Sequence, residues 1–178
     1  MDAVEWYRGF IAIFQDKEGY AEFGDYKGRW DSDDDWTGYI EAKLTNWGKA
    51  QGFEVVPDFD NPTRIDMLWK KDGEDVVAIE HENAGNSVLD GNGTEIEKLL
   101  NRTTAPLRVL ITYFPDTKFP SKAGQLKDKL LSQLGTKKKK EFAFLLLVAP
   151  YEIWDAHQYA AYSFRPTFQA EFLPPPYA

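Results

Sequence analysis

A chain of 178 residues with 43% hydrophobic and 15% aromatic side chains holds enough apolar surface for one full-sized core, which excludes a disordered chain. It contains no cysteine, so disulfides, thiol nucleophiles and cysteine-ligated zinc or iron centres are excluded. The net charge of −8 weighs against a module that coats nucleic acid by neutralising phosphates.

The opening segment MDAVEWYRGF has an early acid and no basic stretch ahead of an apolar one, so it does not read as a signal peptide. The longest apolar run, Phe142 to Val148, falls far short of the ~20 residues of a membrane span. The cytoplasm is therefore the expected compartment. Residues 3–16 carry apolar Val4, Tyr7, Phe10, Ile11 and Phe14 at helical spacing. An aromatic and acidic connection then ends in Asp31-Ser32-Asp33-Asp34-Asp35. A second helix is expected from Trp36 to Gln51, where Trp36, Ile40, Leu44 and Trp47 recur every three or four residues and Gly52 stops the helix. The acidic run suits its N-cap and dipole; a calcium loop is the alternative, although the spacing does not match an EF-hand.

Three strand segments follow, at 53–57, 64–70 and 75–82, the last two joined by a Lys-Asp-Gly-Glu turn. Gly85 to Gly93 reads as a polar loop, 94–102 as a helix, 107–114 as a strand and 121–134 as an amphipathic helix. Lys137 to Lys140 precede a strand at 141–149, apolar enough to be buried on both faces. The tail suggests an edge strand near 159–165 before Pro174-Pro175-Pro176. With no repeat and no linker, residues 1–178 read as one α/β domain: a mixed central sheet flanked by helices on both faces.

The chemistry concentrates on the third strand. Its side chains alternate, so Val77, Ile79 and His81 share one face while Ala78, Glu80 and Glu82 share the other. Asp66 lies in the preceding strand between Ile65 and Met67. A two-residue Asp72-Gly73 turn would set Asp66 opposite Ile79, whereas a three-residue Lys71-Asp72-Gly73 loop would set it opposite Ala78 and diagonal to Glu80. The longer loop is the expectation, because it converges the acids. Like charges in a partly buried site call for a cation, and hard oxygen donors suit magnesium or manganese. Glu41, on the flank of the second helix's apolar face, is a further candidate ligand. The competing reading places these acids on a solvated sheet edge, paired with Lys70, Lys98 or Arg102.

The segment RIDMLW, ten residues and then EHEN, preceded by a helix bearing Glu41 and followed by a helix and a strand, resembles the core of the PD-(D/E)XK nuclease superfamily. The resemblance implies a restriction-endonuclease-like αβββαβ core at about residues 36–114, with 1–35 and 115–178 as additions. Asp66 takes the place of the motif's Asp, Glu80 that of its second acid, Glu82 that of its lysine, and Glu41 that of the acid often supplied by the first core helix. The sequence departs from the pattern in carrying Glu82 for lysine and Ile65 where proline is usual. The resemblance implies a Mg²⁺- or Mn²⁺-dependent nuclease acting on DNA, with Asp66 and Glu80 binding the metal and Glu82 binding it or orienting the attacking water. Its cation would come from Lys98, since relocated lysines occur in the superfamily. Bound metal would offset the chain's acidic balance. Many enzymes of this fold act as dimers, so a homodimer is one expected assembly.

Two other function classes stay open. The same fold with catalysis lost would be a binding or assembly module, and a zinc hydrolase would use His81 with Glu80 and Glu82, His157 being the one other histidine in the chain. His81 also reads as a packed, hydrogen-bonded core histidine. Lys137, Lys138, Lys139 and Lys140 are candidate phosphate-backbone contacts, or a solvated turn into the next strand. Asn83 and Asn86 suit either substrate contact or loop structure. Phosphate-loop and serine-hydrolase signatures are absent from the sequence.

Overall fold

The segments Leu107–Phe114 and Ala143–Pro150 lie side by side as parallel strands, each buried along nearly its whole length. Strands of that kind need helices on both faces of their sheet. The computed structural model describes residues 1–15, 33–91, 94–115, 118–135, 141–150, 159–164 and 170–173. Its elements in chain order are helix α1 (Ala3–Gln15), helix α2 (Asp33–Ala50), strand β1 (Glu54–Pro57), a 3-10 turn (Asp58–Asp60), strand β2 (Met67–Lys71) and strand β3 (Glu74–Glu82). Then come helix α3 (Gly85–Asp90), helix α4 (Glu95–Asn101), strand β4 (Leu107–Phe114), helix α5 (Phe119–Gly135), strand β5 (Ala143–Pro150), strand β6 (Ala160–Phe164) and strand β7 (Ala170–Leu173).

The strands form one seven-stranded sheet in the order β1-β2-β3-β4-β5-β6-β7. The β3–β4 and β4–β5 pairs are parallel and the other pairs antiparallel. Parallel neighbours need crossover connections, which α3 with α4 and then α5 supply. This is the mixed α/β architecture that the sequence implied.

Alternation along the strands builds two cores. On one face α1 and α2 pack Trp6, Phe10, Ile40, Leu44 and Trp47 against Trp69, Val77, Ile79 and Val109. The Trp6, Trp47 and Trp69 rings stand 4.9 to 6.0 Å apart between centroids. On the other face α4 and α5 pack Ile96, Leu99, Leu126 and Leu130 against Leu68, Ala78, Leu110 and Leu146. His81 and Glu80, being neighbours on β3, therefore face opposite cores.

Several boundaries differ from expectation. Helix α2 begins at Asp33, so Asp33, Asp34 and Asp35 lie within its first turn, while Asp31 and Ser32 fall outside the described residues. Asp66 precedes β2 instead of lying inside it. The polar segment from Gly85 forms a short helix, anchored by buried Val88. Strand β6 is interior: β7 pairs on its far side and becomes the edge. Among the described residues no helix is long and apolar enough to cross a membrane.

Candidate functional site

The β2–β3 hairpin decides where Asp66 goes. Its turn has two residues, Asp72 and Gly73, with Lys71 paired to Glu74 and with φ of 53° and 83° at the turn residues. Positive φ at both central positions is the type I′ geometry that Asp-Gly favours. The expectation of a three-residue loop setting Asp66 opposite Ala78 is thus overturned. A two-residue turn alone would have sent Asp66 to the wrong face. It does not, because the ladder shifts between Trp69 and Lys70: Trp69 pairs with Val77 and Lys70 with Asp75, leaving Val76 as an extra residue. Beyond this bulge Met67 pairs with Ile79, so the next step brings Asp66 to Glu80. A slip of one residue exchanges the faces of a strand, and the bulge supplies that slip.

There the Asp66 N–H donates to Glu80 Oε1 at 3.3 Å, and Asp66 Oδ2 accepts the His81 N–H at 2.8 Å. The Lys98 ammonium, on α4, donates to Glu80 Oε2 at 2.9 Å and stands 3.7 Å from Asp66 Oδ1. Glu80 has no exposed surface, whereas Asp66 and Lys98 are each partly open to solvent. Burial, then the Asp66 charge, push the Glu80 carboxyl up to about 8 against the pull of Lys98. Burial likewise raises Asp66, opposed by the His81 N–H and Lys98 and reinforced by Asp58 and Glu95. Burial acts to lower Lys98, but its bond to Glu80 and the Glu80, Asp66 and Glu95 charges outweigh that and hold it above the usual lysine value. The sequence named all three members of this cluster.

The remaining expected residues are placed differently. Glu82 Oε1 accepts the Ala84 N–H at 2.7 Å, so this carboxylate serves the turn into α3. Glu41, on α2, is raised by burial and by the charges of Asp66 and Asp58, which puts it in the same field. Of the other proposed lysine and arginine partners, Lys70 pairs with Asp75 at 3.2 Å and Arg102 with Glu97 at 3.0 Å. Lys137, Lys138, Lys139 and Lys140 lie outside the described residues, as does His157.

Two acids were missed. Glu95 is buried in the first turn of α4, three residues before Lys98 and so on the same helix face. Its Oε2 has no hydrogen-bond partner among the described residues. Asp58 donates its N–H to the Asp66 carbonyl at 2.9 Å and pairs with Arg64 at 3.1 Å. The helical spacing of Glu95 and Lys98 was a usable signal for the first; nothing local marked the second.

His81 is a packed histidine. Its Nε2 lies 3.0 Å from the Tyr113 hydroxyl, which in turn lies 2.9 Å from that of Tyr159. Burial pushes the imidazole down to about 3, so it is neutral. With its ring on the face opposite Glu80, the zinc arrangement of His81, Glu80 and Glu82 does not form. Asn83 donates to Thr37 Oγ1 at 2.7 Å and ties the end of β3 to α2.

Among the described residues no three His, Asp or Glu side chains are grouped to hold a metal ion in common. Asp66 and Glu80 make a two-carboxylate donor set, which fits a magnesium-like ion that keeps most of its waters and does not fit an all-protein cage. Compared with protein-family models, with curated proteins and with solved structures, the chain finds no match.

Proposed function

We propose that this protein is a magnesium- or manganese-dependent phosphodiesterase acting on nucleic acid, with DNA as the first substrate to test. The observation that carries the reading is one lysine reaching two carboxylates: Lys98 Nζ at 2.9 Å from Glu80 and 3.7 Å from Asp66. The element order α2-β1-β2-β3-α3-α4-β4, with Asp66 ahead of β2 and Glu80 in β3, is compatible with an αβββαβ core carrying one added short helix and supports the reading.

Asp66 and Glu80 would hold the cation. Bound there, it would lower the pKa of a water and offset charge on a phosphoryl oxygen. The chain's own contribution is positioning and charge. The His81 N–H fixes the Asp66 carboxylate by its Oδ2, leaving Oδ1 towards Lys98 and solvent. In this reading Lys98 would supply the motif's lysine charge from a helix, because Glu82 occupies the usual strand position and is engaged with Ala84. An ammonium at this place stabilises negative charge developing on the phosphate. Glu41, Glu82 and the lysines at 137–140 remain proposed auxiliary residues, as do the homodimer and the cytoplasmic location.

One observation favours a second reading. Lys98 already neutralises the carboxylate pair, and Glu82 is not part of it. A chain of this architecture that has given up catalysis would bind partners and use the cluster for structure.

Calorimetric titration of Mn²⁺ into the wild type and Glu80→Ala separates the two. Saturable binding that disappears in a folded variant supports the phosphodiesterase and calls for a DNA-cleavage screen. No binding by the wild type sinks the mechanism and leaves the binding module.

A further inference from the structure

We infer that Phe59 is a stacking platform for an unpaired nucleobase, so that the site takes single-stranded nucleic acid in preference to duplex; this rests on the reading of Asp66, Glu80 and Lys98 as a phosphodiesterase site. Phe59 is 78% exposed, more than any other large hydrophobic side chain among the described residues. A lone exposed apolar residue is ordinary. This one differs in how it is held and where.

Its 3-10 turn is bolted to the carboxylate site. Asn61 Nδ2 donates to the Pro57 carbonyl at 2.9 Å and to the Ile65 carbonyl at 2.8 Å, closing the loop from inside. The Asn61 N–H donates to the Asp58 carbonyl at 3.1 Å, and the Asp58 N–H to the Asp66 carbonyl at 2.9 Å. The ring is thus kept in water by a fixed backbone, one residue from the one that grips Asp66. An aromatic ring on an ordered backbone loses little further freedom when a ligand settles on it.

Arg64 closes the same loop with φ of 58°, a left-handed conformation rare for a long side chain. Its guanidinium pairs with Asp58 while the side chain stays 63% exposed. Strain of this kind is kept where the surroundings enforce it, and here it accompanies a phosphate-seeking cation paired with Asp58, the residue before Phe59.

Charge selects the ligand. The net charge is −8, Glu41, Asp58 and Glu95 act electrostatically on Asp66 or feel its charge, and Asp60 follows Phe59 in the same turn, so phosphate neutralisation contributes little to holding a strand. Stacking on an aromatic face is indifferent to that balance and tolerates every base. A base presents its face only when it has left the duplex stack.

The test uses the full chain, as wild type, Phe59→Ala and Phe59→Trp, with a labelled oligothymidylate and a duplex of equal length. Anisotropy in Ca²⁺ reads affinity. The wild type is expected to bind the strand more tightly than the duplex, and Phe59→Ala to weaken strand binding by about tenfold. Phe59→Trp should retain it, and the melting temperature of Phe59→Ala should match the wild type because the ring is exposed. Equal strand affinity in wild type and Phe59→Ala overturns the inference, as does an equal loss for strand and duplex. Cleavage of the same strand in Mn²⁺ separates the two readings. Phe59-dependent binding without cleavage keeps the stacking platform and removes the phosphodiesterase; cleavage with an unchanged KM in Phe59→Ala does the reverse. If Phe59→Ala instead abolishes self-association in sedimentation and leaves strand affinity unchanged, Phe59 is a protein contact and the inference falls.

Discussion

Lys98 donates to Glu80 Oε2 at 2.9 Å across the gap between α4 and β3, and Glu80 has no exposed surface to find another partner in water. A buried carboxylate is costly unless hydrogen-bonded, so this bond ties the orientation of a helix to the state of one acid.

Replacing Lys98 by alanine should therefore destabilise the fold by about 1–3 kcal/mol at a pH near 8, where Glu80 begins to carry charge. The loss should shrink in mild acid, where Glu80 is protonated in both proteins. Urea unfolding at the two pH values measures this; an equal loss at both would show that the ammonium acts by packing alone.

The stability of the wild type should depend on pH in two opposed segments. Glu80 is raised from 4.5 to about 8, so the folded state holds a proton that the unfolded state has released, and stability falls as pH rises through that window. His81 is lowered from 6.5 to about 3, so stability rises with pH until about 6.5. Above that value only the Glu80 slope of the two remains, with a ceiling of about 1.4 kcal/mol per pH unit for one proton. Glu80→Gln should flatten the decline between pH 6.5 and 8, as read by thermal melts across the range.

Arg108 is a buried cation held by backbone carbonyls. Its guanidinium donates to the carbonyls of Leu99, Leu100, Thr103 and Ala105 and lies 3.8 Å from the centroid of the Phe142 ring. Burial lowers it to about 10, still charged at neutral pH. It closes the C-terminal end of α4, where a cation also suits the helix dipole. Arg108→Met should cost about 3–5 kcal/mol through the stranded carbonyls. Hydrogen exchange should show the α4 amides opening first, and Lys98 should lose its hold on Glu80 with them.

Gly85 starts α3 against the neighbouring strand. A Cβ there would stand 2.3 Å from the Tyr113 carbonyl, a backbone atom that cannot step aside. Gly85→Ala should destabilise by about 1–3 kcal/mol, the usual cost of forcing an atom into a packed interior. An unchanged melting temperature would mean that α3 can shift without loss.

Part of this protein was legible in its residues. The segment 141–149 announced a buried strand because burial on both faces leaves a continuous apolar stretch, and the β-rich segment 107–114 read as a strand beside it. The period of Ile40, Leu44 and Trp47 announced α2 for the same local reason. Asp66 and Glu80 stood out because charge amid apolar strands has few uses, while Lys98 came in as a pairing partner for the acids and through the family resemblance.

Tertiary structure decided the rest. Whether Asp66 meets Glu80 depends on one extra residue, Val76, in a ladder whose turn alone would have parted them. Glu82, on the strand face expected for the metal, went to the Ala84 N–H instead. Helix packing brought Glu95 into the same field, and a 3-10 turn hydrogen-bonded to the Asp66 carbonyl held Phe59 in water. Periodicity and residue type are local, so the sequence by itself determined the elements, their faces and the kinds of side chain available for chemistry. Register and side-chain partners depend on small free-energy differences between segments far apart in the chain, and those exist only once the sheet has formed.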